Sequence, residues 1–173
     1  EAEYRGVTLD VEGLEKYKRE LEDKVVVMER DLDHMWQDAH TAYAELQRSE
    51  VRARYANQKQ RKDTAARLES ALARVETKIS YSSPTQMAWL LRDYLGYDIT
   101  SLDGKQSTGK EVLERLAAQG HKDVELFLKW RKAEKLMTAF IPTYLDMQHE
   151  GVIHSTYNMA LKENDNGGES GTK

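Results

Sequence analysis

Apolar residues recur every third or fourth position over most of this chain, the spacing that gathers them on one face of a helix. Val25, Met28, Leu32, Met35, Ala39, Ala42 and Leu46 form a first seam with the rhythm of a coiled coil. Thr8 or Asp10 stands where a helix cap belongs, and Glu12 and Glu15 follow in the opening turns, where the helix dipole favours acids. The seam fades between Gln47 and Thr64. A second seam, Ala65, Leu68, Leu72, Val75 and Ile79, then begins out of phase with the first. The phase break predicts an antiparallel helical hairpin with its tip near Asn57–Thr64. The rival is a single helix of roughly 70 residues, about 100 Å long, because no Gly or Pro marks the tip.

Ser82-Ser83-Pro84 stops this pattern and restarts a helix, with Ser83 as cap and Pro84 in the first turn. Met87, Leu90, Leu91, Tyr94 and Leu95 give its apolar face, and Gly96 ends it. Residues 97–109 read as a polar loop with a short extended piece at Tyr97–Ile99. Ser107 or Thr108 caps the next short helix, which carries Val112, Leu113 and Leu116 and stops at Gly120. A long helix from about Lys122 sets Leu126, Trp130, Ala133, Met137, Phe140 and Tyr144 on one side, and Pro142 is expected to kink or end it. Val152–Tyr157 reads as a strand after a turn at Gly151, and the polar, glycine-rich residues 162–173 as a disordered tail. The fold class expected is mostly all-α: long antiparallel helices, a helical-hairpin insertion, two short tip helices and a short β element near 152–157.

Composition agrees with a helix-rich chain: 39% hydrophobic, 32% charged, ten glycines and two prolines in 173 residues. The net charge of −4 excludes a protein that binds nucleic acid through bulk charge, so the distribution of charge matters more. There are no cysteines, which removes disulfides, thiolate metal sites and cysteine nucleophiles. No apolar run approaches the roughly 20 residues of a membrane helix, and no signal peptide is visible. An intracellular setting is expected, with no membrane partner. The chain begins with Glu1, which suggests a piece of a longer protein.

Three lookalike motifs carry little chemistry. Gly104–Lys110 matches most of a phosphate-binding P-loop, but Glu111 stands where Ser or Thr must hold magnesium. Asp146 and His149 have the spacing of half a carboxylate–histidine metal site, with no matching second pair. His34 and His40, six apart, share no helix face and read as ordinary stalk residues. Two cationic features are stronger. Arg131, Lys135 and Thr138 share one face of the long helix, near a Ser/Thr-rich loop whose groups suit phosphate. Around the hairpin tip, Arg48, Arg52, Arg54, Lys59, Arg61 and Lys62 outnumber Glu50 and Asp63, a surface for nucleic acid or an acidic partner.

In order along the chain, five pieces resemble family A DNA polymerases, the group of bacterial polymerase I and many phage replicases. Gly6–Asp10 is similar to "G-V-x-I-D", Ser82–Met87 to "N-S-x-K-Q-L", and Gln106–Leu113 to "x-S-T-S-x-x-V-L". Trp130-Arg131 followed by Lys135–Ile141 resembles "Y-R … K-L-K-S-T-Y-I", and His154–Asn158 resembles "H-T-x-F-N". The resemblance spans nearly the whole chain except the 35–78 stalk. It implies a thumb subdomain with palm edges: 1–34 as palm edge and first long helix, 35–81 as a hairpin or coiled-coil insertion, 82–148 as tip helices and second long helix, and 149–161 as the start of the palm. It also implies backbone contacts to primer–template DNA from Ser83, Gln86, Ser107, Thr108, Arg131, Lys135 and Thr138, with His154 and Asn158 nearer the primer end.

The departures are Thr85 and Met137 where the family has lysine, Gly109 for its third serine, and Met159 for a glutamine. Lys110 and Lys132 are candidates to compensate. The insertion tip would add contacts from Arg52, Arg54, Lys59, Arg61 and Lys62, or recruit a processivity factor. The family's catalytic aspartates and their Mg²⁺ lie downstream of a "T-G-R" motif, and this sequence stops at Gly171-Thr172-Lys173. The resemblance therefore implies a part of a nucleotidyltransferase without a catalytic residue or a metal ligand of its own, inactive without the remaining palm, fingers and exonuclease domains. The alternative reading is a non-catalytic helical module that binds protein.

Overall fold

The computed structural model describes residues 7–56 and 63–153. Helix α1 (Val11–Met35) opens where the Asp10 carboxylate accepts a hydrogen bond from the Gly13 amide at 2.9 Å, so Asp10 and not Thr8 is the cap. A Cβ at Gly13 would overlap that carboxylate. The helix breaks at Trp36 and resumes as α2 (Gln37–Ala56). The break re-phases the first seam. Leu21, Val25 and Leu32 are buried, but Met35 is half exposed and Trp36 takes the core position.

Helix α3 (Thr64–Ala73) packs back on α2, so this segment is a hairpin and not one long helix. Most of its tip, 57–62, lies outside the described residues. The second seam is only half helical: α3 stops at Ala73, and none of its residues is fully buried. Val75 and Ile79 belong instead to a non-helical strap, residues 74–83, that carries Ile79 and Tyr81 into the core.

The strap is tied to the α1–α2 break by a buried polar chain, and this corrects the reading of His40 as an ordinary stalk residue. His40 is 8% exposed. Its Nδ1 accepts the Ile79 amide at 3.1 Å, and its Nε2 lies 3.2 Å from the Tyr81 hydroxyl. Tyr81 donates to Asp33 Oδ1 at 2.5 Å, and Lys78 Nζ reaches Asp33 Oδ2 at 2.7 Å. Burial pushes the His40 pKa below 6.5, with Lys78 adding to the effect and Asp33 opposing it. At Asp33 burial works upward, yet hydrogen bonds from Lys78 and Tyr81 prevail and hold the carboxyl below 3.8. Burial first, and then the Asp33 carboxylate, raise the Tyr81 phenol.

Ser83 caps α4 (Pro84–Ala88), which continues into a wide π-helical turn, Trp89–Tyr94. That extra width leaves Tyr94 exposed, while Met87, Leu90 and Leu91 are buried as the pattern predicts. Helix α5 (Lys110–Ala118) buries Val112, Leu113 and Leu116. Its cap is Gly109, not Ser107 or Thr108: Ser107 Oγ instead accepts from the Gly109 amide at 3.0 Å.

Helix α6 (Lys122–Lys135) packs along α1. The Trp36 indole donates to Asp123 at 3.1 Å, and about two turns away the Trp130 indole donates to Glu29 at 3.1 Å, so the two helices run antiparallel. Between them Trp36, Tyr81, Phe127 and Trp130 form edge-on and stacked pairs with centroids 5.5–6.4 Å apart. Each such pair is worth about 1 kcal/mol beyond its buried area.

Pro142 does not end this helix. The chain passes through a π-helical turn, Leu136–Phe140, and goes on as α7 (Ile141–Met147). Proline cannot donate, and the wider turn routes the Ile141 amide to the Leu136 carbonyl. The added residue rotates the apolar stripe. Val124, Phe127, Trp130 and Ala133 are buried and Ile141 follows, whereas Phe140 and Tyr144 face outward. Leu126 and Met137 are half-buried.

A small antiparallel sheet of order β1–β3–β2 closes one end: β1 (Val7–Thr8), β2 (Gln148–His149) and β3 (Val152–Ile153). Glu150 and Gly151 both have positive φ, 50° and 77°, as a two-residue type I′ hairpin turn requires. The expected strand is present at Val152–Ile153, and its remainder, 154–157, lies outside the described residues, as does the 162–173 tail. The architecture is the one the seams predict, mostly helical with a long helical hairpin and a short β element.

Candidate nucleic-acid interface

The Ser/Thr loop owes its shape to two anchors. Gly96 reverses the chain with φ 72°, the Tyr97 amide bonds the Leu91 carbonyl at 2.7 Å, and Ile99 is buried. Thr100 then bridges to Gln106, with a turn between them closed by Ser101 N–H to Lys105 O at 2.8 Å. The Ser107 amide donates to the Ile99 carbonyl at 2.9 Å, so Ser107, Thr108 and Gly109 sit at a fixed base leading into α5. From α6, Arg131 Nη1 donates to the Thr108 carbonyl at 2.6 Å.

These residues face the start of α4 across an open groove of about 610 Å³. Its walls are Pro84, Thr85 and Trp89 on one side and Ser107, Thr108 and Arg131 on the other. Arg92 also lines it. Nε and Nη2 of Arg92 grip the Asp93 carboxylate at 2.6 Å each, and Nη1 donates to Gln106 Oε1. The Arg92 hydrogen bonds hold the Asp93 carboxyl below its ordinary value. Sequence reasoning passed over Arg92 and Trp89. The available signal was their i, i+3 spacing in the same helix as the Ser83 cap.

A second groove, of about 630 Å³, lies on the other side of α6. It is lined by Glu29, Glu76, Glu134, Lys78, Trp130, Met137 and Thr138. Three carboxylates against one lysine disfavour phosphate there. The two grooves sort the expected contacts. Ser107, Thr108 and Arg131 meet in the first, with Ser83 beside it as the residue before Pro84. Thr138 is in the acidic groove, and its hydroxyl donates to the Glu134 carbonyl at 2.8 Å. Gln86 is engaged at both ends of its amide, accepting from the Ser80 amide at 2.6 Å and donating to Glu76 at 3.3 Å.

Lys110 is exposed with its ammonium 3.5 Å from Glu114, and Lys135 lies over the Phe140 ring at 5.5 Å. Arg52 and Arg54 are exposed on α2. Lys59, Arg61, Lys62, His154 and Asn158 lie outside the described residues. Among the described residues no group of three or more His, Cys, Asp or Glu side chains is placed to hold a metal. None of the described helices is long and apolar enough to cross a membrane.

Two long antiparallel helices carrying short helices and a capped loop at one end define a thumb-like helical subdomain. The sequence profile of DNA polymerase family A matches residues 51–164, well over half of the chain, and the chain belongs to that family. The match starts inside α2 and runs through the strap, the groove residues, α6 and α7 to strands β2 and β3, and it leaves out α1.

Proposed function

We propose that this chain grips primer–template DNA through backbone phosphates laid along the groove between α4, the Ser107–Gly109 loop and Arg131. The observation that carries this reading is convergence. Three segments far apart in sequence bring hydroxyls, backbone amides near the starts of α4 and α5, and a guanidinium to one open channel. Such groups bind phosphate without reading sequence, and a replicating enzyme needs that indifference. Ser83, Ser107, Thr108, Lys110 and Arg131 are the contacts this groove favours. Lys135 extends them along α6. Gln86 and Thr138 act on the protein side, holding the strap and the helix.

Residues 1–34 and 82–148 then form the thumb shaft and tip, 35–81 an insertion, and 149–161 the start of a palm. The insertion, with Arg52 and Arg54 exposed, serves as the docking place of a processivity factor. The chain's other partners would be the palm, fingers and exonuclease parts of the polymerase. A role on replicating DNA would place it in the cytoplasm of a bacterial or phage-infected cell.

The test is binding of a primer–template duplex by the chain across a salt series. Affinity should fall steeply with salt, and each lost phosphate contact should lower the slope by about one. Arg131→Ala and Lys135→Ala should each weaken binding several-fold and flatten the slope, and Thr108→Ala should weaken it less. Binding indifferent to salt and to all three changes would overturn the proposal and favour a protein-binding module.

A further inference from the structure

The polar chain around His40 is built so that its proton positions are forced. The Ile79 amide can only donate, so Nδ1 of His40 must be bare and Nε2 must carry the proton. Nε2–H then donates to the Tyr81 oxygen, Tyr81 donates to Asp33, and Lys78 completes the Asp33 carboxylate. Among the described residues no buried side-chain polar atom is left without a partner. The chain joins the end of α1, the start of α2 and the strap, which are the three strands of backbone at the root of the hairpin.

We propose that this node is a proton-operated latch at the root of the hairpin: when His40 takes up a proton on Nδ1, it releases the Ile79 amide and frees the strap, and the α2–α3 hairpin gains freedom relative to the α1–α6 shaft. The proton comes from solvent and creates two donors facing each other at 3.1 Å, a contact that must open. The ring has somewhere to go. Asp33 Oδ1 lies 3.6 Å from Nε2 and favours the charged ring on that side. Two arrangements therefore compete, a neutral ring on the Ile79 amide and a charged ring on Asp33.

The charged and titratable groups around the node are few. Asp33 faces His40 from α1, and Lys78 and Tyr81 face it from the strap. Glu29 of α1 acts on Tyr81. On α6, Asp123 is engaged by Trp36 and Tyr97. Tyr43, on the same helix as His40, faces Trp89 at 4.9 Å. Among the described residues only Asp33 attracts the proton directly, while burial and Lys78 oppose it. The latch is thus closed above the ordinary histidine value of 6.5 and opens as pH falls below it.

The experiment is nitrogen NMR of the whole chain between pH 8 and 5. At the alkaline end the His40 ring should show a bare Nδ1 and a protonated Nε2. Its midpoint should lie below 6.5. Through that midpoint Ile79 amide exchange, corrected for its intrinsic pH dependence, should rise about five- to tenfold. The chain has no cysteines, so Arg52→Cys and Lys129→Cys give one spin-labelled pair, whose distance distribution should broaden over the same range. His40→Gln, which keeps an acceptor and cannot titrate, should abolish the step. A His40 midpoint at or above 6.5, constant Ile79 protection, or a step that survives in the glutamine variant would each overturn the proposal. The first two readouts need no variant to fold.

Discussion

Asp33 shows how one side chain can decide the acid stability of a junction. Its carboxyl is desolvated, which alone would raise its pKa, but it accepts from both Lys78 and Tyr81 and ends below 3.8. A carboxyl depressed by folding contributes stability that is present above its unfolded value and lost as pH falls through the folded one. Asp33→Asn should therefore lower Tm at pH 7, by an amount that shrinks as pH falls below 3.8, a convergence that scanning calorimetry across pH would detect. Parallel curves would mean that Asp33 contributes no proton-linked stability. At this scale the sequence was legible where partners are local. Ser83 and Pro84 announce a helix start because a cap acts within three residues. His40 was illegible, because the amide it accepts and the phenol it faces lie about forty residues away, on a strap whose apolar spacing reads as the end of a helix.

Among the elements, the π-helical turns explain most of what periodicity misjudged. Each inserts a residue into a helical face, so a stripe read at 3.6 residues per turn drifts off the core. This is why Phe140 and Tyr144 point outward and Ile141 inward. The second turn lies directly before Pro142, which lacks an amide proton. Pro142→Ala should restore a donor, let Leu136–Phe140 settle toward an ordinary α-helix, and slow amide exchange in that turn, as hydrogen exchange with residue resolution would show. Unchanged exchange would mean that packing, and not proline, holds the turn open. The end of α3 was misplaced for a related reason. Val75 and Ile79 continue the seam arithmetically, but Ile79 is buried from a non-helical strap. Periodicity identifies which residues are buried better than it identifies the backbone that buries them.

For the whole molecule, the hairpin is an appendage on a closed core. Its inner part contributes Ala39, His40 and Ala44 to the interior, whereas α3 contributes no fully buried residue. A replacement that preserves the core should therefore spare Trp36 through Leu46 and remove residues 47–73 in favour of a short Gly/Ser linker. In the intact polymerase this change should shorten the product made per binding event and leave addition of a single nucleotide intact, which a trapped primer-extension assay separates. Unchanged processivity would assign the hairpin some other role. The family was legible because its motifs are local strings that survive in order. The acidic second groove was not, since Glu29, Glu76 and Glu134 come from three segments with no shared pattern.

The indole pair that fastens α1 to α6 has an optical consequence. The chain holds three tryptophans. Trp36 and Trp130 are 2% and 4% exposed, each with its ring nitrogen on a carboxylate of the facing helix. Trp89 instead forms part of the wall of the groove between α4 and the Ser107–Gly109 loop. Emission from the first two reports whether the shaft is zipped, and emission from the third reports what occupies the groove. The protein thus carries separate intrinsic gauges for its folding and for its occupancy, with no label added.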